Sequence, residues 1–241
     1  MDKTRNTATN GFNIVQDSVR GAGYRLITDG TYAEGYDATI GSFTSSGFQF
    51  GTNTNVNTNA NTYINWQWKA GGTAVSNTAG TITSSVSANT TAGFSVVTFT
   101  GNGVDTLSGV ATVGHGLGVA PKWVIVKQRS AARSWNVWHS ALSGTQFILL
   151  EDTAAVVTDA TKWNSTIPTS SVISLGTAPG TNVSAGTYVA YCWAEIAGFS
   201  KFGSYTGNAS SDGPFVATNF KPKFILIKVS STANGWVIMI Q

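Results

Sequence analysis

The sequence predicts an all-β fold built from β-sandwich or jelly-roll-like units in tandem. Its composition is the first observation behind this prediction: 33 Thr, 25 Ser, 18 Asn and 27 Gly stand among 241 residues, of which only 10% are charged. Charged residues usually make up about 25% of a soluble chain. Thr is β-branched and favours strands, whereas Asn, Ser and Gly favour turns. This composition disfavours an α/β nucleotide enzyme and a helical bundle.

The second observation is an internal repeat. The motif FTGN at residues 99–102 recurs as YTGN at 205–208, 106 residues later, and PKWVIVK at 121–127 recurs as PKFILIK at 222–228. A second match joins the N-terminal third to the middle of the chain. There YINWQW at 63–68 corresponds to YVAYCW at 188–193. Such self-similarity indicates repeated structural units.

The repeat divides the chain into four segments. Residues 97–204 form one complete β-sandwich unit, 1–71 the back part of a unit, and 205–241 the front part of another. The Thr/Ser-rich residues 72–96 are predicted to be a linker arm. Because residues 3–16 correspond to the same portion of the repeat as 228–241, the terminal pieces overlap. Three interpretations stay open: a fragment of a longer array, terminal pieces that close on each other, or completion by neighbouring chains through strand addition.

Strands are predicted where short apolar or alternating runs lie between Gly, Pro, Asn or Ser clusters. Such runs occupy residues 123–127, 135–139, 147–150, 172–175, 188–194 and 224–228. Only two stretches, 30–39 and 152–163, have a pattern that allows a helical turn or two. Many short strands without a long helix are typical of sandwiches and jelly rolls.

No pattern of catalytic residues is found. The two histidines, His115 and His139, lack a nucleophile-elbow, zinc-helix or phosphate-loop context, and no acid pair recurs near aromatic residues. The single cysteine, Cys192, lies in an apolar run and is predicted to be a buried small side chain. We therefore expect no enzyme, no metal site and no cofactor.

The charge and hydropathy patterns also argue against several partners. The 14 Lys and Arg residues are spread along the chain rather than clustered, so nucleic-acid binding is not expected. No apolar run approaches the roughly 20 residues of a membrane-spanning helix, so no membrane insertion is expected. The N-terminal residues have no apolar core of the kind that a signal peptide needs.

Aromatic side chains are the remaining candidates for ligand contact, since the chain has eight Trp and seven Tyr. Alternation places Ile64, Trp66 and Trp68 on one strand face, as it does Val189, Tyr191 and Trp193 in the other copy. An apolar residue in each set favours the inward face. Trp163, in the polar stretch KWNST, is predicted to be exposed. The candidate glycan contacts are Trp163, Asn53, Asn55, Asn57, Asn59 and Asn61.

Several phrases carry a family resemblance: HGLGVAPKWVIVKQRS, SAGTYVAYCWAEIAGFSKFGSYTGN, DGPFVATNFKPKFILIK, DSVRGAGYRL and NTYINWQWKAGG. They resemble a repeated domain of uncharacterised function in virion structural proteins, fibre-like or capsid-associated, of tailed and notably marine bacteriophages. The resemblance covers residues 12–241. It implies a structural or adhesive role without catalysis on the exterior of the particle, after synthesis in the host cytoplasm. Expected partners are other virion proteins and further copies of the chain.

We therefore expect a capsid decoration protein or a tail or head fibre component that assembles by edge-strand pairing. The candidate contact edges are Val124, Ile125, Val126 and Lys127 in one strand and Ile225, Leu226, Ile227 and Lys228 in its repeat. The alternative is a carbohydrate-binding, receptor-recognition module of a phage fibre that contacts host surface glycans. A third alternative is a depolymerase that cleaves host polysaccharide.

Overall fold

The computed structural model describes residues 2–4, 12–37, 39–104 and 109–240, and this part of the chain is all-β, as predicted. Two one-turn helices, α1 (Ala160–Trp163) and α2 (Pro179–Asn182), accompany nineteen described strands. The strands are β1 (Asp2–Thr4), β2 (Ile14–Val15), β3 (Tyr24–Ile27), β4 (Gly35–Tyr36), β5 (Ile40–Phe43), β6 (Phe48–Phe50), β7 (Tyr63–Asn65), β8 (Val75–Asn77), β9 (Ser84–Asn89), β10 (Phe94–Thr100), β11 (Ala111–Gly114), β12 (Trp123–Gln128), β13 (Asn136–His139), β14 (Gln146–Leu149), β15 (Val157–Thr158), β16 (Val172–Leu175), β17 (Thr187–Trp193), β18 (Phe224–Lys228) and β19 (Trp236–Ile240).

An eight-stranded antiparallel sheet forms the centre of the molecule, in the order β15-β14-β13-β12-β17-β10-β9-β8. Both faces of this sheet are covered, so alternate side chains of β12 enter two different cores. Val124 and Val126 pack into a core with the β11–β16 pair and Trp163 of α1. Ile125 packs into a second core on the opposite face.

The second core joins the central sheet to a smaller, five-stranded sheet in the order β4-β3-β2-β1-β7. Leu26, which is fully buried, meets Val137 and Ile148 in this core, and Val15 packs against it. In addition, the Trp135 Nε1 group donates a hydrogen bond of 2.9 Å to the Ile27 carbonyl. The two sheets therefore form a sandwich.

The smaller sheet repeats one half of the central sheet, strand for strand. The order β4-β3-β2-β1-β7 matches β15-β14-β13-β12-β17. The registers match as well: Ile14 pairs with Ile27, as Asn136 pairs with Leu149, at a shift of 122 residues. The repeat that the motifs indicate is thus also a repeat of topology.

The C-terminal piece contributes the strand pair β18–β19, which repeats β12–β13. Phe224 lies opposite Ile240, as Trp123 lies opposite His139, at a shift of 101 residues. This piece therefore contains a copy of two central strands in the same register.

The prediction of a linker arm at residues 72–96 is wrong. β8, β9 and the first residues of β10 lie in this segment and form the end of the central sheet. Ser84, Ser87 and Ser95 are buried there. Small polar side chains fit a tightly covered strand as well as a solvated arm, and the hydroxyl of Ser84 is satisfied by the Gly114 carbonyl at 3.0 Å. Composition alone therefore did not distinguish the two.

Candidate interaction surface

The β18–β19 strand pair carries apolar side chains on both of its faces. Along β19, Val237 and Met239 point to one side and Ile238 and Ile240 to the other. These four side chains are 49%, 45%, 39% and 56% exposed, respectively. Isolated exposed apolar residues are ordinary, but a contiguous apolar surface usually marks a contact site.

The equivalent positions of the central sheet are covered. Asn136, Val137 and Trp138 take the places of Val237, Ile238 and Met239 in the repeat, and they are 0%, 0% and 4% exposed. The β18–β19 pair thus has the two-faced apolar pattern of strands that lie between two layers. In the part of the chain that the structure describes, no such layers cover most of the β18–β19 pair.

The same chain holds this strand pair by its turn end. The Trp236 Nε1 group donates to the Leu149 carbonyl at 3.1 Å, and the Lys228 Nζ donates to the Thr153 carbonyl at 2.9 Å. Two backbone bonds, Val156 N to Ser230 O and Asn234 N to Thr153 O, join the turn to residues 153–156. Beyond this anchored end, residues 237–240 of β19 are exposed, whereas residues 225–228 of β18 are half-buried.

Of the two strands predicted to be contact edges, only one lies at an edge. Ile225, Leu226, Ile227 and Lys228 belong to β18, whose hydrogen-bonded neighbour in the described structure is β19 alone. Their role as a contact edge stays a prediction.

The prediction is wrong for Val124, Ile125, Val126 and Lys127. β12 pairs with β13 on one side and with β17 on the other, so it has no free edge. Val124, Val126 and Lys127 are fully buried. Burial lowers the pKa of the Lys127 ammonium to about 8, and its Nζ donates to the Gln128 carbonyl at 2.8 Å. The apolar run predicts the strand correctly, but its neighbour β17 lies sixty residues further along the chain.

Aromatic rings connect the β18–β19 pair to the small sheet. Phe224 lies 6.3 Å from Trp66 and 6.5 Å from Trp68, measured between ring centroids. Trp68 also meets Trp193 at 5.8 Å, and Trp193 stacks on Trp123 at 4.3 Å. Edge-to-face and stacked rings at these distances attract each other beyond the effect of buried area.

The predicted inward face is confirmed for one copy and only partly for the other, where Trp66 is half-buried and the Trp68 ring contacts Trp193. Val189, Tyr191 and Trp193 are buried, whereas Ile64 and Trp68 are 37% and 42% exposed. The reason is the length of the pairing strand. β1 covers β7 only from Tyr63 to Asn65, and residues 66–68 carry no strand pairing to the described residues.

The prediction that Trp163 is an exposed glycan contact is wrong. Trp163 is a core residue, 1% exposed. The Asp159 carboxylate caps α1 by accepting from Thr161 N at 2.9 Å. The single helical turn then directs Trp163 into the core with Phe147 and Leu175. The polar neighbours in KWNST lie on the outer side of this turn, and they conceal a buried tryptophan in the sequence.

The predicted amide contacts lie in the loop between β6 and β7. Asn57 and Asn59 are exposed, whereas Asn53, Asn55 and Asn61 are half-buried. The Asn53 amide donates to Asp37 at 3.0 Å, and the Asn57 amide donates to the Gly51 carbonyl at 2.9 Å. With Trp163 in the core, these amides do not share a surface with it.

A buried ionic network, which the sequence analysis did not find, locks the small sheet to the central one. Arg20 contacts Asp17 at 2.6 Å and Glu34 at 2.8 Å, and Glu34 receives a second, bidentate pair from Arg129 at 2.7 and 2.9 Å. The Tyr191 hydroxyl donates to Asp17 at 2.7 Å. Asp17 and Arg20 are three residues apart, but Arg129 and Tyr191 lie far away in the chain, so the network as a whole leaves no local motif.

The network sets the protonation of its members. Burial alone would raise the pKa of Asp17, but the Arg20 charge and the hydrogen bonds from Tyr191 and Arg20 outweigh it and lower that pKa. Glu34 behaves in the same way: burial opposes, and the hydrogen bonds from Arg129 and Arg20 prevail, so its pKa is lowered. Both carboxylates are therefore charged at neutral pH.

Two further titratable groups, His115 and Cys192, are buried outside this network. His115 is buried, with Nε2 3.1 Å from the Thr169 carbonyl and Nδ1 accepting from Leu117 N, and burial lowers its pKa. Burial raises the pKa of the Cys192 thiol to about 12. Among the described residues, no three His, Cys, Asp or Glu side chains lie together as a metal site would require. Within the same residues, no helix has the length and apolar character to cross a membrane.

Comparison with known families gives one match over almost the whole sequence. The profile of DUF7483, a domain of unknown function, matches residues 2–240. The chain belongs to the DUF7483 family. This DUF7483 match includes the central sheet, the small sheet and the β18–β19 pair together. No curated protein and no solved structure matches the chain.

Proposed function

We propose that this chain is a structural protein of a bacteriophage particle, a capsid decoration protein or a tail or head fibre component. It acts by assembly on the particle exterior, with further copies of itself and other virion proteins as partners. The phage setting rests on the sequence resemblance. The mode of action rests on one structural observation, the β18–β19 pair, which is apolar on both faces and exposed along most of β19.

The free edge and the apolar faces of this strand pair favour contact with a partner. An unpaired strand edge presents a row of N–H and C=O groups that another strand can complete. Apolar faces add a hydrophobic contribution of about 25 cal/mol for each Å² that the partner covers. A chain with 10% charged residues offers little electrostatic repulsion against such contact.

Light scattering across a wide range of protein concentration tests this function. We expect the mass of the full chain to rise with concentration. Replacing Ile238 and Ile240 by Thr should weaken this self-association, because Thr keeps the strand preference and removes the apolar surface. Val119→Thr is the matched control, since Val119 is 52% exposed outside the strand pair. A full chain that stays monomeric at every concentration would contradict assembly by this surface.

Glycan recognition is the second candidate, and the exposed Trp68 favours it. Its indole is 42% exposed, and the amide of the preceding residue, Gln67, donates to the Asn65 amide oxygen at 2.6 Å. Exposed aromatic faces beside amides are suited to sugar rings. We expect binding on a glycan array to disappear in Trp68→Ala and to persist in Trp163→Phe. A flat array with the full chain would rule this candidate out.

A further inference from the structure

We propose that β18 of one chain pairs antiparallel with residues 64–68 of a second copy, in the register that β12 and β17 adopt within a chain. This inference rests on the proposed function, because it specifies the partner and the contact of that assembly. It makes self-association a directional, head-to-tail contact between different surfaces.

The register follows from the complete unit. β12 and β17 pair Trp123 with Trp193 and Lys127 with Val189. In the small sheet, β1 and β7 use the same register: Lys3 takes the place of Lys127, and Ile64 that of Val189. One pairing rule thus already occurs twice in this chain.

The same rule, applied to β18, gives each residue a partner. Phe224 would face Trp68, as Trp123 faces Trp193 in the complete unit. The next residues along each strand follow in order: Ile225 faces Gln67, and Leu226 faces Trp66. Aromatic and β-branched cross-strand pairs are among the most favourable in antiparallel sheets.

The acceptor strand is open at residues 66–68, three of the five positions that this pairing needs. β1 pairs only with Tyr63–Asn65, whereas β17, the equivalent of β7, is paired along all of Thr187–Trp193. Residues 66–68 have no strand pairing to the described residues, although their equivalents lie in the middle of a sheet.

The incoming strand also competes with β1. In the proposed register Ile227 and Lys228 stand opposite Asn65 and Ile64, the positions that Asp2 and Lys3 now occupy. β1 has three paired residues, so a five-residue strand that carries four apolar side chains is the stronger partner.

Within its own chain, β18 does not pair with residues 64–68. Bonds to Leu149, Thr153 and Val156 anchor the turn end, so Phe224 meets the Trp66 and Trp68 rings of its own chain without strand pairing. The free edge of β18 is then available to another molecule. A second copy is the partner because it carries the strand whose sequence matches β17.

Cysteine cross-linking of two separately purified chains tests the register. One chain carries Ile225→Cys and the other Gln67→Cys, which the proposed pairing places opposite each other. Paired strand residues have Cα separations that a disulfide accepts. After mixing and oxidation we expect a covalent dimer. The native Cys192 is fully buried, and the unsubstituted chain should give no dimer under the same conditions.

A matched control replaces the acceptor. Ser76→Cys places the thiol on β8, the end strand of the central sheet, and mixing it with Ile225→Cys should give no dimer band. Equal cross-linking to Ser76 and Gln67 would overturn the register. A chain that carries both Ile225→Cys and Gln67→Cys should form covalent multimers. A bridge within single chains would overturn the second copy as the partner.

Light scattering distinguishes a failure of this strand pairing from a failure of the proposed function. Self-association of the full chain without the Ile225–Gln67 cross-link would reject this pairing and leave the proposed function standing. Absence of self-association would reject the proposed function itself.

Discussion

Arg20 shows how a single residue can join two sheets. Its side chain is fully buried, and its guanidinium contacts Asp17, Glu34 and the Tyr191 hydroxyl. Asp17 and Glu34 belong to the small sheet and its connections, whereas Tyr191 lies in β17 of the central sheet. A buried charge is tolerated only where its partners are this complete.

Loss of Arg20 should therefore be costly. We expect Arg20→Met to lower the free energy of unfolding by about 3–5 kcal/mol, because the buried Asp17 carboxylate loses its cation and Glu34 loses one of its two. Arg25→Met is the control: Arg25 pairs with Asp37 where both side chains are a quarter exposed, and about 0–1 kcal/mol is expected. Urea denaturation measures both. Equal losses would mean that the Arg20 network does not hold the sheets together.

Stability should fall in two stages as the solution is acidified. Burial lowers the pKa of His115, so the unfolded chain takes up a proton below about pH 6.5 that the folded chain resists. The pKa values of Asp17 and Glu34 are also lowered in the folded state, so a second loss follows as the pH drops through about 4. His115→Gln should shrink the first stage only.

Urea unfolding between about pH 7.5 and about pH 2.5 gives this profile. Subtracting the His115→Gln curve from that of the unchanged chain isolates the His115 share of the first stage. Burial also lowers the pKa of His139, which contributes to the same stage. An unaltered loss between pH 7 and 5 in the variant would assign that stage to other groups.

At the scale of elements, the same strand pair occurs with two different surroundings. β12–β13 and β18–β19 share a register and an apolar pattern, yet the first is covered on both faces and the second is not. The difference lies in the elements that surround each pair. After β13 come β14 to β17, which complete the sheet and its two cores, and the described structure places no such strands around β19.

Equivalent residues of the two pairs should therefore respond differently. Trp138 and Met239 occupy the same repeat position but are 4% and 45% exposed. Trp138→Ala should cost about 3–5 kcal/mol of unfolding free energy, since it leaves a core cavity. Met239→Ala should change stability by about 0.5 kcal/mol or less, as an exposed site, while weakening self-association. Thermal unfolding and light scattering separate the two effects, and a large stability loss in Met239→Ala would show that the strand pair is already covered.

At the scale of the whole molecule, the sandwich is formed by two copies of one half-sheet that face each other. Val15 and Leu26 of the small sheet meet Val137 and Ile148, which are their own equivalents in the central sheet. The β18–β19 pair is a third copy of part of this half-sheet and lies at the rim of the second core through Trp236. Its removal should leave the sandwich intact.

A chain of residues 1–202 tests this architecture. We expect it to unfold in one cooperative transition, with a loss of about 2 kcal/mol from the packing of Trp236. It should also remain monomeric at concentrations where the full chain associates. Calorimetry and light scattering report the two properties. Loss of cooperativity would mean that the β18–β19 pair is an integral part of the sandwich.

Periodicity and repeated motifs predicted much of the local structure correctly. The six apolar runs of the sequence overlap β12, β13, β14, β16, β17 and β18, and the helical turn in residues 152–163 is α1. The repeat between YINWQW and YVAYCW predicted the equivalence of β7 and β17. These features are local because strand preference and turn chemistry are properties of short stretches of chain.

The sequence by itself determined the all-β class, the repeat and the positions of the main strands. Only the tertiary structure decided which strand has a free edge, which aromatic side chain is covered and which charges meet. Val124 and Ile225 lie in similar sequence motifs, yet the strand of Val124 is central in its sheet and that of Ile225 is at an edge. Trp163 lies in a polar stretch of sequence, yet it is buried. Free edges, burial and buried polar contacts depend on residues far away in the chain. The Tyr191 hydroxyl, for example, donates to Asp17, and a short stretch of sequence does not specify such a contact.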